Sequence, residues 1–321
     1  MAVSTGQPGL KPAPVPAAGE TVPVERAGRW AKLILAFPVG MLIVFFVIPL
    51  VMMLVVSFYR NIPGAGWEPA FTLENYVRAF SRGLYRDRLV YTLEISALNA
   101  VLCLLAGYPF TYYLVRLASP LWRKVGLTLA IGTLWLTYVV RSYAWSVLLS
   151  ATSGVGQVLA WLGVTERPVG YAPGPVATVV GLMYVFLPFM ILSMYGSLKA
   201  IDPSMEEASM NLGARPWRTF LHVVLPLSLP GAAAGTVMVF LLTMGNYVVP
   251  SILGQPAQWT MPVIITNQVM NESNVPFGAA MSVILLAVLG LLAYGTGRLV
   301  GMARVNPYAG SRVAAEGGER R

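Results

Sequence analysis

Leu33-Ile-Leu-Ala-Phe-Pro-Val-Gly-Met-Leu-Ile-Val-Phe-Phe-Val-Ile-Pro-Leu-Val-Met-Met-Leu-Val-Val-Ser-Phe-Tyr59 contains no charged residue. A helix needs about 20 mostly apolar residues to cross a bilayer, so this stretch reads as a membrane span. It starts too far from Met1 and is too long for the core of a secretory signal, which makes it a retained helix. Five more windows of the same kind follow. They run from Ile95 to Val115, from just after Lys124 to about Ser150, from about Pro175 to Leu198, from near Gly231 to near Leu253, and from about Ala279 to Val300. The composition agrees. Of 321 residues, 56% are hydrophobic and 11% charged, against about 25% charged in soluble domains. Mean hydropathy is +0.67. Disordered, collagen-like and disulfide-scaffold classes are excluded by the apolar content and the single Cys103, which reads as a small packing residue. The expected fold is an all-α membrane protein of six transmembrane helices.

The surplus of positive charge sets the orientation. The net charge is +9, and its basic residues flank apolar runs instead of forming the Arg/Lys stripe with interleaved aromatics of a nucleic-acid binder. With both termini cytoplasmic, fifteen Lys and Arg lie inside, six lie outside, and Arg141 is left in the membrane. That bias favours this topology. The Arg-rich run 78–88 falls on the outside, where Tyr76, Phe80, Leu84 and Tyr85 give it the apolar face of an interfacial helix. Trp30, Tyr59, Trp122 and Trp217 lie near span ends, as an aromatic belt requires. The expected order is a disordered cytoplasmic tail over 1–29, a first helix over 30–60 and a periplasmic segment over 61–87. A transmembrane domain over 88–302 follows, with a cytoplasmic loop at 199–230, and then a tail over 303–321. No internal repeat is evident, so six spans suggest half of an assembly completed by another chain.

The loop between the fourth and fifth spans is the most informative: Ile201-Asp-Pro-Ser-Met-Glu-Glu-Ala-Ser-Met-Asn-Leu-Gly-Ala-Arg-Pro-Trp217. Asp202 before Pro203 is a good helix cap, and Ser204 with Glu207 fits a capping box; either starts a helix here. Met205, Ala208 and Leu212 then share one face. Gly213 stands where a left-handed residue closes a helix. Arg215-Pro216 opens a second helix, and Pro226 and Pro230 mark a bend into the fifth span. On physics alone the segment is either a connector lying on the membrane surface or a docking element.

Here the chain resembles the permease subunits of bacterial ABC importers. They carry Glu-Ala-Ala, three residues, Gly, nine residues, then Ile-x-Leu-Pro. This sequence has Glu207-Ala208-Ser209, Gly213, Val223 and Leu225-Pro226 in that spacing, with Ser for the second Ala and Val for Ile. The similarity runs from about Glu94 to Leu299, the type I ABC transmembrane domain. Within the family it looks most like the spermidine/putrescine permease group, first-permease type, on Gly107-Tyr-Pro109, Val140-Arg-Ser-Tyr-Ala-Trp145 and Gly245-Asn-Tyr-Val-Val-Pro250.

The resemblance implies a coupling helix over Asp202–Gly213 that docks on a cytoplasmic ABC ATPase dimer, with Asp202, Glu206, Glu207, Ala208, Ser209, Gly213, Leu225 and Pro226 in the coupling set. Glu206 or Glu207 would pair with basic residues of that partner. It further implies a second, homologous permease subunit, a periplasmic solute-binding protein and location in the inner membrane. The cargo implied is a polyamine, with a phosphonate, an amino-acid-derived compound or iron as alternatives. ATP and Mg would be used by the ATPase alone. This chain has no Gly-x4-Gly-Lys-Ser/Thr phosphate loop, and no cofactor is expected on it.

Charges within spans default to functional readings. Glu94 sits near a span end and reads as interfacial or as a substrate contact. Arg141 is deeper and reads as a cavity or gate residue, or as a structural pair. The aromatics Tyr138, Tyr143, Trp145, Tyr184 and Tyr247 could offer ring faces to an ammonium or simply pack. Asn246 joins this substrate-pathway set, although relatives of the polyamine type often have an acid there. His222, the only histidine, reads as structural. Gly297 and Gly301 have the spacing of a close helix contact. A secondary transporter would call for paired acids or broken helices at midplane, and an intramembrane enzyme for a nucleophile–base pair; neither is evident.

Overall fold

A computed structural model describes residues 29–64, 66–151 and 154–303, with side chains within 36–298. The two tails expected from the sequence fall almost wholly outside the described residues. The chain divides into two units, Met1–Met52 and Met53–Arg321. In the first, helix α1 (Arg29–Leu42) passes through a π-turn (Ile43–Val47) into α2 (Ile48–Val56), which continues into the second unit. Pro49 explains the π-turn, because its missing N–H leaves the carbonyl four residues earlier without a partner.

The second unit opens with a small antiparallel hairpin, β1 (Arg60–Ile62) and β2 (Gly66–Glu68), in which Asn61 faces Trp67. Helix α3 (Glu74–Ser81) is followed by α4 (Gly83–Tyr112), extended by a π-turn to Leu117. The Arg-rich run is therefore not one interfacial helix. Extended backbone at Arg82 splits it, and residues 83–88 are the start of α4. Glu94 lies exposed within α4 rather than beyond its end.

The third apolar window also departs from expectation. Helix α5 (Pro120–Gly132) ends in a 3-10 turn at Trp135, and α6 (Tyr138–Leu148) leaves at 104° to it. Leu136 and Thr137 are extended, and the Thr137 hydroxyl accepts from the Val140 N–H at 3.4 Å, capping the new helix. Helix α7 (Val155–Trp161) precedes α8 (Pro175–Lys199). Short helices α9 (Pro203–Asn211) and α10 (Pro216–Thr219) lead through a third π-turn, which like the first ends two residues before a proline, into α11 (Leu225–Met244). Pro216–Met244 forms a single 29-residue span, so Pro226 and Pro230 do not mark a sharp bend. This span ends at Met244, and α12 (Val248–Leu253) is a separate turn of helix. Helices α13 (Met261–Met270) and α14 (Val275–Ala303) complete the chain.

Among the described residues five helices are long and apolar enough to cross a membrane, or six if the bent α5–α6 pair is one span. The fold is thus a helical membrane domain. Its centre is the packing of α4, α8 and α11 around Cys103, Leu182, Val185, Phe186, Met190, Met194 and Val239. Between membrane helices, small residues permit close approach: a Cβ on Gly231 would overlap Ser197, and one on Gly107 or Gly235 would press on Met190. Polar pairs join the same helices. Asn99 Nδ2 donates to Thr243 Oγ1 at 2.8 Å, Ser193 Oγ donates to the Gly231 carbonyl at 2.9 Å, and the Tyr108 and Ser228 hydroxyls meet at 2.7 Å. A second cluster sets α3 and α13 against α14, with the Tyr85 and Phe277 rings edge to face at 4.9 Å. Gly290 and Gly297 have open space around them, so no close contact forms there among the described residues.

Candidate functional site

The segment after α8 folds as its sequence dictates. Asp202 is extended, and its Oδ1 accepts the Ser204 N–H at 2.9 Å, so Asp202 is the cap. That backbone bond, then the Ser204 hydroxyl and the Arg116 charge, hold the Asp202 carboxyl below the usual carboxylate range. Pro203 takes the first helical position, where no N–H is needed. Gly213 closes the helix with φ +86°, in the left-handed region that a Cβ disfavours. Ser209 and Thr219 hydroxyls, 3.1 Å apart, tie α9 to α10.

No residue of α9 is buried. The apolar set expected on one face stays uncovered: Met205, Ala208 and Leu212 are exposed, joined by Met210 and Trp217, and Leu212 reaches 90%. Nothing within 4 Å would meet a Cβ on Gly213. An exposed apolar cluster on a short, doubly terminated helix is a docking surface in form. Glu207 is exposed and free to face a partner. Glu206 is not. It forms an ion pair with Arg116, Nε to Oε1 at 2.7 Å, with side chains 12% and 16% exposed. Leu225 and Pro226 lie past the π-turn in the first turn of α11, where they shape the start of that span. His222 Nδ1–H donates to the Arg218 carbonyl at 3.0 Å, a local helix contact.

The substrate-pathway residues are only partly brought together. Arg141, Trp145 and Tyr184 line one cavity of about 360 Å³ with Leu136, Val140 and Leu148. The Trp145 and Tyr184 rings meet edge to face at 5.5 Å, and the Arg141 guanidinium lies 5.0 Å from the Tyr138 ring. Arg141 is 3% exposed, and its Nε and Nη1 have no hydrogen-bond partner. Tyr143 is exposed on the same helix but does not line the cavity. Asn246 and Tyr247 lie elsewhere, at the α11–α12 break. There Asn246 is buried and its Oδ1 accepts the Val249 N–H at 3.0 Å, so its side-chain oxygen caps α12.

Two features escaped the sequence reading. Arg116 counted only as a topology charge, because its partners are 85 and more residues away. A polar cavity of about 720 Å³, lined by Arg60, Asn61, Glu74, Arg78, Gln268 and Glu272, lies between the hairpin, α3 and the end of α13.

The family model for the binding-protein-dependent transport system inner membrane component matches residues 25–301. The spermidine/putrescine transport system permease protein PotB of Escherichia coli (strain K12) is 34% identical over 254 residues, 79% of this chain and 92% of the relative. PotB of Haemophilus influenzae is 31% identical over 266 residues, 83% of this chain and 92% of the relative. Among solved structures, a bacterial ABC transporter involved in import of the acidic polysaccharide alginate matches with a TM-score of 0.73 at 15% identity, covering 85% of this chain and 95% of that one. At that identity the match concerns the fold.

Proposed function

Because the chain belongs to the binding-protein-dependent transport system inner membrane components, we propose that it forms half of a polyamine pathway in an ATP-driven importer. As a member of that family it is a multi-pass inner-membrane permease subunit, with ATP hydrolysis on a separate subunit. In this reading α9 is the coupling helix. The observation that carries the reading is the exposed apolar face of α9 beside Gly213. An ATPase dimer using ATP and Mg grips that face, a second permease completes the pathway, and a periplasmic binding protein delivers the cargo. The excess of basic residues on the α9 side of the membrane supports a cytoplasmic position for both termini. ATP-driven closure of the dimer moves α9, and the attached spans rock between inward- and outward-open states.

The relatives named for spermidine and putrescine support the polyamine cargo. One observation favours a second reading, an anionic or amino-acid-derived solute. Helices α5, α6, α8 and α11 contain no Asp or Glu, and the cavity beside α6 holds a buried Arg141. Uptake of labelled spermidine into proteoliposomes holding the full importer, with its binding protein, separates the two. ATP-dependent uptake that putrescine competes for is expected. A binding protein that ignores polyamines and takes up an organic anion would remove the polyamine reading and leave the second.

A further inference from the structure

Arg116 stands on the last turn of the α4 span, which runs from Gly83 to Leu117. Its Nη2 donates to the Ile201 carbonyl at 2.9 Å, and its Nε faces Glu206 Oε1 at 2.7 Å. One side chain thus holds both the residue before the α9 cap and the first turn of α9 itself. Among the described residues these are the hydrogen bonds and ion pairs that join the end of α4 to the start of α9. Covalent connection and the Ser209–Thr219 contact link α9 to α8 and to α10, but they leave α4 out.

The α4 end that carries Arg116 is braced. Arg123 Nε donates to the Leu114 carbonyl at 3.0 Å, and its Nη2 donates to the Val115 carbonyl at 3.1 Å. Both carbonyls belong to the π-turn, where the regular ladder is interrupted. The guanidinium of Arg116 therefore projects from a fixed platform. Its pair with Glu206 is largely removed from water, in contrast to the exposed Glu207. A pair so placed gains little stability over apolar packing, since dehydrating two charges offsets most of their attraction. The Nε and Oε1 of the pair are not aligned as a hydrogen bond, so Glu206 supplies a charge contact at close range and the direction of the tie comes from the Nη2 bond to the Ile201 carbonyl.

We propose that Arg116 is a positioning residue that makes α4 move with α9, so that α4 joins α8 and α11 as a third span driven by the coupling helix. The proposal rests on the reading of α9 as that helix. Its consequence is that the core packing of α4 against α8 and α11 is driven from the end of α4 as well as from its side.

The test is a double-mutant cycle of Arg116→Gln and Glu206→Gln in the complete importer, reading ATPase co-purification, basal hydrolysis, and the stimulation of hydrolysis and uptake by loaded binding protein. Arg116→Gln is expected to keep the ATPase bound and hydrolysing. It should lower stimulation at least about fivefold, the lower end of ordinary coupling between sites. The double variant should be no worse than the weaker single one, because both remove one tie. Arg116→Lys, which keeps the charge toward Glu206 but not the fork, should fall between. Wild-type stimulation in Arg116→Gln would overturn the proposal. Losses that multiply in the double variant would do so as well, as would release of the ATPase by Arg116→Gln. If instead substitutions at Gly213 leave ATPase binding intact, the reading of α9 itself fails, and the two failures are distinguishable.

Discussion

Gly213→Asn is expected to leave the subunit folded and inserted while releasing the ATPase, lowering binding-protein-dependent uptake by about tenfold or more. Asn is chosen because it tolerates the left-handed region that Gly213 occupies at φ +86°. The helix end therefore survives the exchange. Within this chain a Cβ added at Gly213 meets nothing within 4 Å. Any effect must come from what docks there. A side chain forced into a packed contact costs roughly 1–3 kcal/mol, and each 1.4 kcal/mol is about tenfold in affinity. Gly163→Asn is the control, because Gly163 also has positive φ and open space but lies far from α9 in the chain. It should transport normally. Retention of the ATPase by both variants in co-purification would mean that α9 is not the element that holds it.

Arg141→Met is expected to make the isolated subunit at least as stable in detergent while lowering uptake in the complete importer. Two nitrogens of this buried guanidinium lack partners, and an uncompensated interior charge costs several kcal/mol. Replacing buried charge with apolar bulk is neutral or stabilising by roughly 1–4 kcal/mol in such cases. The cation contact with Tyr138 at 5.0 Å returns on the order of 1–2 kcal/mol, which leaves the balance in favour of Met. A residue kept for structure would lose stability and transport together. Opposite signs, read by thermal unfolding and by uptake, mark a residue kept for the pathway. A lower unfolding temperature for Arg141→Met would contradict this.

The spans were legible from charge-free windows, but their ends were not. The second window starts at Ile95 with Glu94 near its end, and 78–88 reads as an interfacial helix, yet α4 runs unbroken from Gly83 through Arg86, Asp87, Arg88 and Glu94, because a helix outside the hydrocarbon tolerates charge freely. The break at Leu136–Thr137 carries neither Gly nor Pro. Its only local signal is the capping hydroxyl of Thr137, too common a residue to predict a 104° turn. The α9 segment was legible almost residue by residue, because Asp202, Pro203 and Gly213 act through local backbone chemistry. The pairing of Glu206 has no such local signal, because its partner Arg116 is brought to it by helix packing. Asn246 likewise looked like a lining residue, whereas its side-chain oxygen is used on the backbone of α12.

Leu212, 90% exposed on the apolar face of α9, is where the helix and the ATPase would touch. A photo-reactive amino acid at position 212, irradiated in membranes holding the assembled importer, should give an adduct with the ATPase that is diminished by Gly213→Asn. Adducts with lipid alone, or none with the ATPase in a transport-competent complex, would contradict it.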